Sequence, residues 1–163
     1  MRTIPLSQGY EAIVDDADYP LVSQYKWSVN SNGKRNSQYA YRSLPRQRRP
    51  QKHLLLHRFI MQPSEQQEID HIDGNGLNNT RKNLRFCTRR ENCWNTGKFK
   101  RKCKSSFKGV SIHKASGLWV GYLNHMGRRA WTGYYKSEQE AARARDFVAI
   151  QLYGPFARTS CLL

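Results

Sequence analysis

The chain has 163 residues, with 28 lysines and arginines against 12 acidic residues and a formal net charge of +16. That balance points to a polyanionic partner, and an aromatic content of 12% excludes a merely disordered basic tail. A hydrophobic fraction of 38% allows only modest cores, so two small domains fit better than one large one.

No apolar run approaches the roughly 18 residues of a membrane span. The opening Met1-Arg2-Thr3-Ile4-Pro5 carries no signal-peptide core, so a cytoplasmic protein without a membrane partner is expected. Cys87, Cys93, Cys103 and Cys161 form no C-x-x-C knuckle. Cys87, Cys93 and His113 could in principle be recruited to zinc, but free, reduced thiols are the expectation.

From the N-terminus, Tyr25-Lys26-Trp27-Ser28-Val29 and Tyr39-Ala40-Tyr41 alternate apolar and polar positions around an Asn32-Gly33 turn, which predicts short antiparallel strands. The basic stretch from Pro45 to Pro50 interrupts regular structure, and Leu54 to Ile60 then supplies core. Residues 68–95 read as strand, polar loop, strand, helix. Ile69 and Ile72 flank Asp70-His71, Gly74-Asn75-Gly76 turns the chain, and Thr88 with Glu91 forms a capping box.

This stretch orders Asp70-His71, Asp73-Gly74-Asn75, Asn83-Leu84-Arg85 and Glu91-Asn92 at spacings that suit metal-assisted phosphodiester cleavage. Neutral His71 is the expected base that takes a proton from water. On the opposite side of the strand, Asp70 joins the side-chain oxygen of Asn92 to hold one hard divalent ion, Mg²⁺ or Mn²⁺; these oxygen ligands do not favour zinc. Asn83 bonds across the loop to fix the His71 backbone or ring. Turn formation accounts for Asn75, Asn78 and Asn79, Asp73 caps the turn, and Asn95 ends the helix or contacts phosphate.

On these residues the chain resembles the HNH homing endonucleases, whose ββα-metal centre carries an Asp-His pair, a middle Asn before Leu, and a final His or Asn on the helix. The resemblance implies that Asp70 and Asn92 are metal ligands, His71 the general base and Asn83 the middle Asn. Thr3-Ile4-Pro5-Leu6, Val14-Asp15-Asp16 and Tyr25-Lys26-Trp27 look like the upstream part of this family. His57 matches a histidine commonly seen ahead of the motif, without an implied catalytic role.

Gly97 to Ser106 is strongly basic and lacks apolar periodicity, so it reads as a linker. Gly109 to Lys114, Leu118 to His125 and Arg128 to Tyr135 read as three strands separated by Ser116-Gly117 and Met126-Gly127 turns. Ser137 and Glu140 open a helix whose Ala141, Ala144, Val148 and Leu152 share a face, and Gly154-Pro155 stops it.

Phe107-Lys108-Gly109-Val110, Gly117-Leu118-Trp119, Trp131-Thr132-Gly133-Tyr134-Tyr135 and Tyr153-Gly154-Pro155-Phe156-Ala157 resemble the Apetala/ethylene-response-factor DNA-binding domain. That resemblance implies three antiparallel strands presented to the major groove and backed by one helix. With Val110, Ile112, Trp119, Leu123 and Ala130 facing the helix, strand alternation turns Ser111, His113, Tyr122, Asn124, Arg129 and Trp131 outward, and Arg128 joins Arg129 as a phosphate contact. Lys98, Lys100, Arg101, Lys102 and Lys104 of the linker are expected to track DNA, the bland reading being a solvated charge run.

The expected architecture is α+β: a nuclease domain over residues 1–96, a basic linker over 97–106 and a DNA-binding domain over 107–163. The implied function is a monomeric, site-specific, homing-type endonuclease of double-stranded DNA that leaves 5′-phosphate and 3′-hydroxyl ends, with no protein partner implied. If phage-encoded, it would act in a bacterial host cytoplasm. The rival readings are a non-catalytic DNA-binding regulator and a nonspecific HNH nuclease.

Overall fold

A computed structural model describes residues 1–30, 38–45, 52–97 and 104–161. The Asn32-Gly33 turn, most of the basic stretch after Pro45, Cys103, and Lys98, Lys100, Arg101 and Lys102 lie outside the described residues. The chain divides into two compact units, Met1–Asn92 and Cys93–Leu163, and its class is α+β.

In the first unit, β1 (Arg2–Pro5) pairs antiparallel with β2 (Glu11–Val14), and α1 (Tyr19–Val22) is a single turn entered through Pro20. Strands β3 (Ser28–Asn30), β4 (Tyr39–Ser43) and β5 (His53–Leu55) form a second antiparallel sheet, in order β3-β4-β5. The run from Leu54 divides between β5 and α2 (Leu56–Met61). β6 (Glu68–His71) and β7 (Leu84–Cys87) form a hairpin, and α3 (Arg89–Asn95) follows, its residues from Cys93 onward counted with the second unit. Burial of Ile4, Val14, Val22, Trp27, Leu56, Ile69 and Leu84 in one cluster ties these small sheets together.

The β6–β7 loop is anchored to the N-terminal hairpin. Ile13 N–H donates to the Leu77 carbonyl and Asn79 N–H to the Ile13 carbonyl, each at 2.8 Å. Arg81 donates to both carboxylate oxygens of the buried Asp18, at 2.9 and 2.8 Å, while its backbone N–H reaches Asp15. Val14-Asp15-Asp16 therefore lies beside the anchor of the motif loop.

The second unit is a three-stranded sheet, β8 (Val110–Ile112), β9 (Trp119–His125) and β10 (Arg128–Tyr135), in order β10-β9-β8, packed on α4 (Glu138–Tyr153). Met126 (φ 49°) and Gly127 (φ 75°) both occupy the left-handed region, the geometry of a tight hairpin turn. Ser137 and Glu140 form a reciprocal capping box at the start of α4.

The buried face of α4 differs from the expected one. Ala141, Ala142, Arg145, Asp146, Ala149 and Tyr153 are buried, whereas Leu152 is exposed. The reason is a buried ion pair: Arg145 reaches Asp146 at 2.8 Å and the Arg158 carbonyl, while Asp146 accepts Ser160 N–H at 2.6 Å and Cys161 N–H at 2.8 Å. Capturing the segment after the helix rotates that pair inward. Trp94 stacks on Tyr153, with centroids 4.6 Å apart and an interplanar angle of 13°, which places this tryptophan in the core of the second unit.

Candidate active site

Asp70 and His71 are adjacent on β6, so strand alternation sends their side chains to opposite faces of the hairpin. Both are buried. On the Asp70 face, Arg85 lies directly across the ladder and donates twice to Asp70 Oδ2, from Nε at 2.9 Å and from a terminal nitrogen at 2.6 Å. Two residues back on the same face, Glu68 accepts from Asn92 Nδ2 at 2.7 Å. The hairpin and the first turns of α3 thus converge there. Glu91 fastens the helix start by accepting the Thr88 N–H at 2.7 Å.

Cys87 shares this face, and its thiol is pushed up to about 12 by burial and by the charges of Asp70, Glu68 and Glu91. In the metal-free protein it is a protonated thiol. Asp70 and Asn92 bring oxygen donors of the kind a hard divalent ion takes. Because Asn92 Nδ2 is bonded to Glu68, Oδ1 is the atom it would offer to an ion. Among the described residues no group of three His, Cys, Asp or Glu side chains could hold a metal. Asp70 and the Asn92 carboxamide oxygen are the donors that this face would offer to such an ion.

On the other face, the His71 ring is enclosed. Its Nε2 lies 3.3 Å from Asn79 Oδ1, and its ring meets His57 (centroids 5.0 Å apart, interplanar angle 88°) and Tyr39 (5.7 Å, 54°). Gly76 permits this packing: a Cβ there would come within 2.6 Å of the Tyr39 ring and 2.3 Å of the Gln38 carbonyl oxygen. Burial lowers the His71 pKa below the ordinary histidine value, against the opposing effects of the Asn79 bond, Asp73 and Asp70. His57 is driven down to about 3 by burial, by the neighbouring titratable ring of His71 and by the charge of Arg58, and its buried Nδ1 has no hydrogen-bond partner among the described residues. Both rings are neutral at pH 7.

Asn83 does not reach the His71 ring. It accepts Asp73 N–H at 3.0 Å and donates to Asp73 Oδ1 and the Asn78 carbonyl, while its own carbonyl accepts Ile72 N–H. It fixes the backbone that leaves His71, and Asn79 touches the ring. Asp73 accepts from Asn75, Asn78 and Asn83; these bonds outweigh burial and hold its carboxyl below the usual range.

In the second unit, Arg129 donates to Asn124 Oδ1 at 2.9 Å and stacks over the Tyr122 ring at 4.2 Å, on the sheet face away from α4. Ser111 is half-buried on β8. His113 bonds Ser116 at 2.8 Å and meets Tyr134 edge to face, and Arg128 and Lys104 are exposed. Trp131 departs from the expected orientation. A β-bulge between Arg129 and Trp131 inserts a residue into β10, so Trp131 packs on the α4 side with Leu123, Ala149 and Tyr153. A Cβ on Gly121 would come within 3.0 Å of that indole and 2.6 Å of the Ala141 carbonyl. The bulge turns Thr132 and Tyr134 outward instead, two positions that strict alternation misses.

Residues 62–93 match the family described as HNH endonuclease. An HNH endonuclease of Acanthamoeba polyphaga mimivirus is 30% identical over 157 residues, covering 92% of this chain and 74% of the relative. Protein 3.8 of Escherichia phage T7 is 34% identical over 99 residues, 55% of this chain and 73% of that protein. The ethylene-responsive transcription factor ERN3 of Medicago truncatula is 41% identical over 61 residues, 36% of this chain and 25% of the factor. No solved structure matches the chain.

Asp70 and His71 on β6 and Asn92 on α3 all lie within the segment that matches a nuclease family, one whose members are metal-dependent. The chain belongs to the HNH endonuclease family and is a DNA endonuclease. No helix among the described residues is long and apolar enough to cross a membrane.

Proposed function

We propose that the chain is a site-specific, homing-type endonuclease in which His71 is the general base, Asp70 and Asn92 hold one divalent ion, Mg²⁺ or Mn²⁺, and the second unit reads and anchors the DNA. The observation that carries this reading is the division of β6: a neutral, enclosed imidazole on one face and a carboxylate beside the Asn92-bearing helix on the other. When bound, the ion supplies charge stabilisation at the scissile phosphate and the departing 3′ oxygen.

His71 accepts a proton from the attacking water, leaving a 5′-phosphate and a 3′-hydroxyl. Asn83 acts structurally, through the loop backbone. Site preference comes from the sheet face of Ser111, His113, Tyr122, Asn124, Arg128 and Arg129, while Lys98, Lys100, Arg101, Lys102 and Lys104 supply phosphate affinity. The similarity to a plant transcription factor supports a reader rather than a purely degradative enzyme. With viral and phage relatives, the site of action is the cytoplasm of a host cell.

Supercoiled plasmid incubated with and without Mg²⁺ tests the catalytic part. Wild type should convert it to nicked or linear DNA only with the ion, and His71→Ala should abolish conversion while retaining DNA binding. Wild-type cleavage by His71→Ala would remove the base assignment.

A further inference from the structure

Asn79 has no solvent exposure, and the two ends of its carboxamide meet different groups. Nδ2 donates to the Gly76 carbonyl at 3.5 Å, and Oδ1 lies 3.3 Å from His71 Nε2. A peptide carbonyl only accepts, so the end facing Gly76 is the amino group and the end facing the imidazole is the oxygen. An amide oxygen also only accepts. In the neutral ring the proton therefore sits on Nε2 and the lone pair on Nδ1.

Asn79 is itself held against movement. Its backbone N–H donates to the Ile13 carbonyl at 2.8 Å, and the Leu77 carbonyl takes the Ile13 N–H, so strand β2 grips the loop on both sides of Asn78. His57 and Tyr39 pack against the same imidazole and limit its rotation.

We propose that Asn79 is the positioning residue of this nuclease centre: its carboxamide oxygen keeps the His71 proton on Nε2, making Nδ1 the nitrogen that takes the proton from the attacking water. The inference rests on His71 being the general base. In the step, a water O–H bond breaks and its proton goes to Nδ1. The water oxygen bonds to phosphorus, the P–O3′ bond breaks with its electron pair on the 3′ oxygen, and that oxygen takes a proton from solvent. The Nε2–H···Oδ1 bond is present before and after the transfer, so the ring need not turn during the reaction.

The test is the imidazole ¹⁵N spectrum of the full-length, metal-free protein, with the His71 signals identified by their loss in His71→Ala. Wild type should show Nε2 protonated and Nδ1 bare. Asn79→Ala should give a mixture of tautomers and slow single-turnover plasmid cleavage roughly 10- to 100-fold, the scale carried by groups that orient a functional histidine, at unchanged DNA affinity. Asn79→Asp keeps an acceptor oxygen at the imidazole but loses the donor to the Gly76 carbonyl, so it should keep the proton on Nε2 and cleave faster than Asn79→Ala while remaining slower than wild type.

A wild-type spectrum with the proton on Nδ1 overturns the inference, and so does Asn79→Ala with an unchanged tautomer and rate. Should Asn79→Ala fail to fold, the wild-type spectrum and Asn79→Asp still decide. Undiminished cleavage by His71→Ala would instead defeat the general-base reading while leaving the tautomer measurement intact.

Discussion

Arg85 and Asp70 face each other with little solvent on either side: their side chains retain 16% and 7% of their exposure. A buried carboxylate deprived of its guanidinium partner is left uncompensated, at a cost of about 3 kcal/mol or more. Arg85→Leu should therefore lower the melting temperature of the metal-free protein markedly. A divalent ion at Asp70 supplies the missing positive charge, so the rise in melting temperature on adding Mn²⁺ should be larger in Arg85→Leu than in wild type. Equal metal-induced shifts would move the ion away from Asp70.

His57 offers a second measurement at this scale. The unfolded chain takes up its proton near pH 6.5 and the folded protein only near 3, so between these values the unfolded state holds more protons and stability rises with pH. The contribution is complete above pH 6.5 and is lost on acidification toward 3, with a slope of about 1.4 kcal/mol per pH unit where the difference is one full proton. His57→Phe keeps a ring in the cluster and removes that proton, so its melting temperature should fall less than that of wild type between pH 7 and pH 5. Parallel losses in the two proteins would contradict a buried, neutral His57.

Among single elements, β10 shows where alternation misleads. Arg128-Arg129-Ala130-Trp131 reads as a regular strand, and nothing local marks the extra residue that the bulge inserts. The consequence separates two neighbours. Trp131→Ala should unfold the second unit more easily, by about 3 kcal/mol, because the indole fills the space over Gly121 and beside Leu123. Arg129→Ala should leave the melting temperature nearly unchanged and weaken or redirect DNA binding, since the guanidinium lies on the outer face. A stable Trp131→Ala with impaired DNA binding would put the indole on the reading face after all.

By contrast, the strand-loop-strand-helix run of residues 68–95 and the capped start of α4 were legible, because their signals are local: Gly74 in the turn, Thr88 with Glu91, and Ser137 with Glu140. What escaped depends on distant partners. Asn75, Asn78 and Asn79 look alike as turn formers, and only the grip of Ile13 brings Asn79 to the imidazole. Arg145 and Asp146 lie off the face shared by Ala141, Ala144, Val148 and Leu152, and only the return of Arg158, Ser160 and Cys161 brings them inward.

At the scale of the whole molecule, a net charge of +16 on 163 residues makes phosphate attraction a large part of affinity for any DNA sequence. On the proposed reading, two modest binding surfaces on one chain would reinforce each other through effective concentration, and a small protein would gain reach without a large interface. The proposed phosphate-tracking role of the basic segment around residue 100 can be read from salt dependence. In a catalytically silent His71→Ala background, replacing Lys98, Lys100, Arg101, Lys102 and Lys104 together by Gln should weaken binding to cognate and scrambled duplexes alike. It should also flatten the dependence of log affinity on log salt by about 0.9 for each phosphate no longer neutralised. Arg129→Ala, by comparison, should change the ratio between the two duplexes, because a side chain fixed on a sheet by Asn124 and Tyr122 meets base edges in one register whereas a run without alternation does not. Isotherms across a salt series on both duplexes separate these outcomes. Loss of cognate binding alone, with an unchanged salt slope, would make the basic segment a sequence reader and overturn its assignment as a phosphate-tracking element.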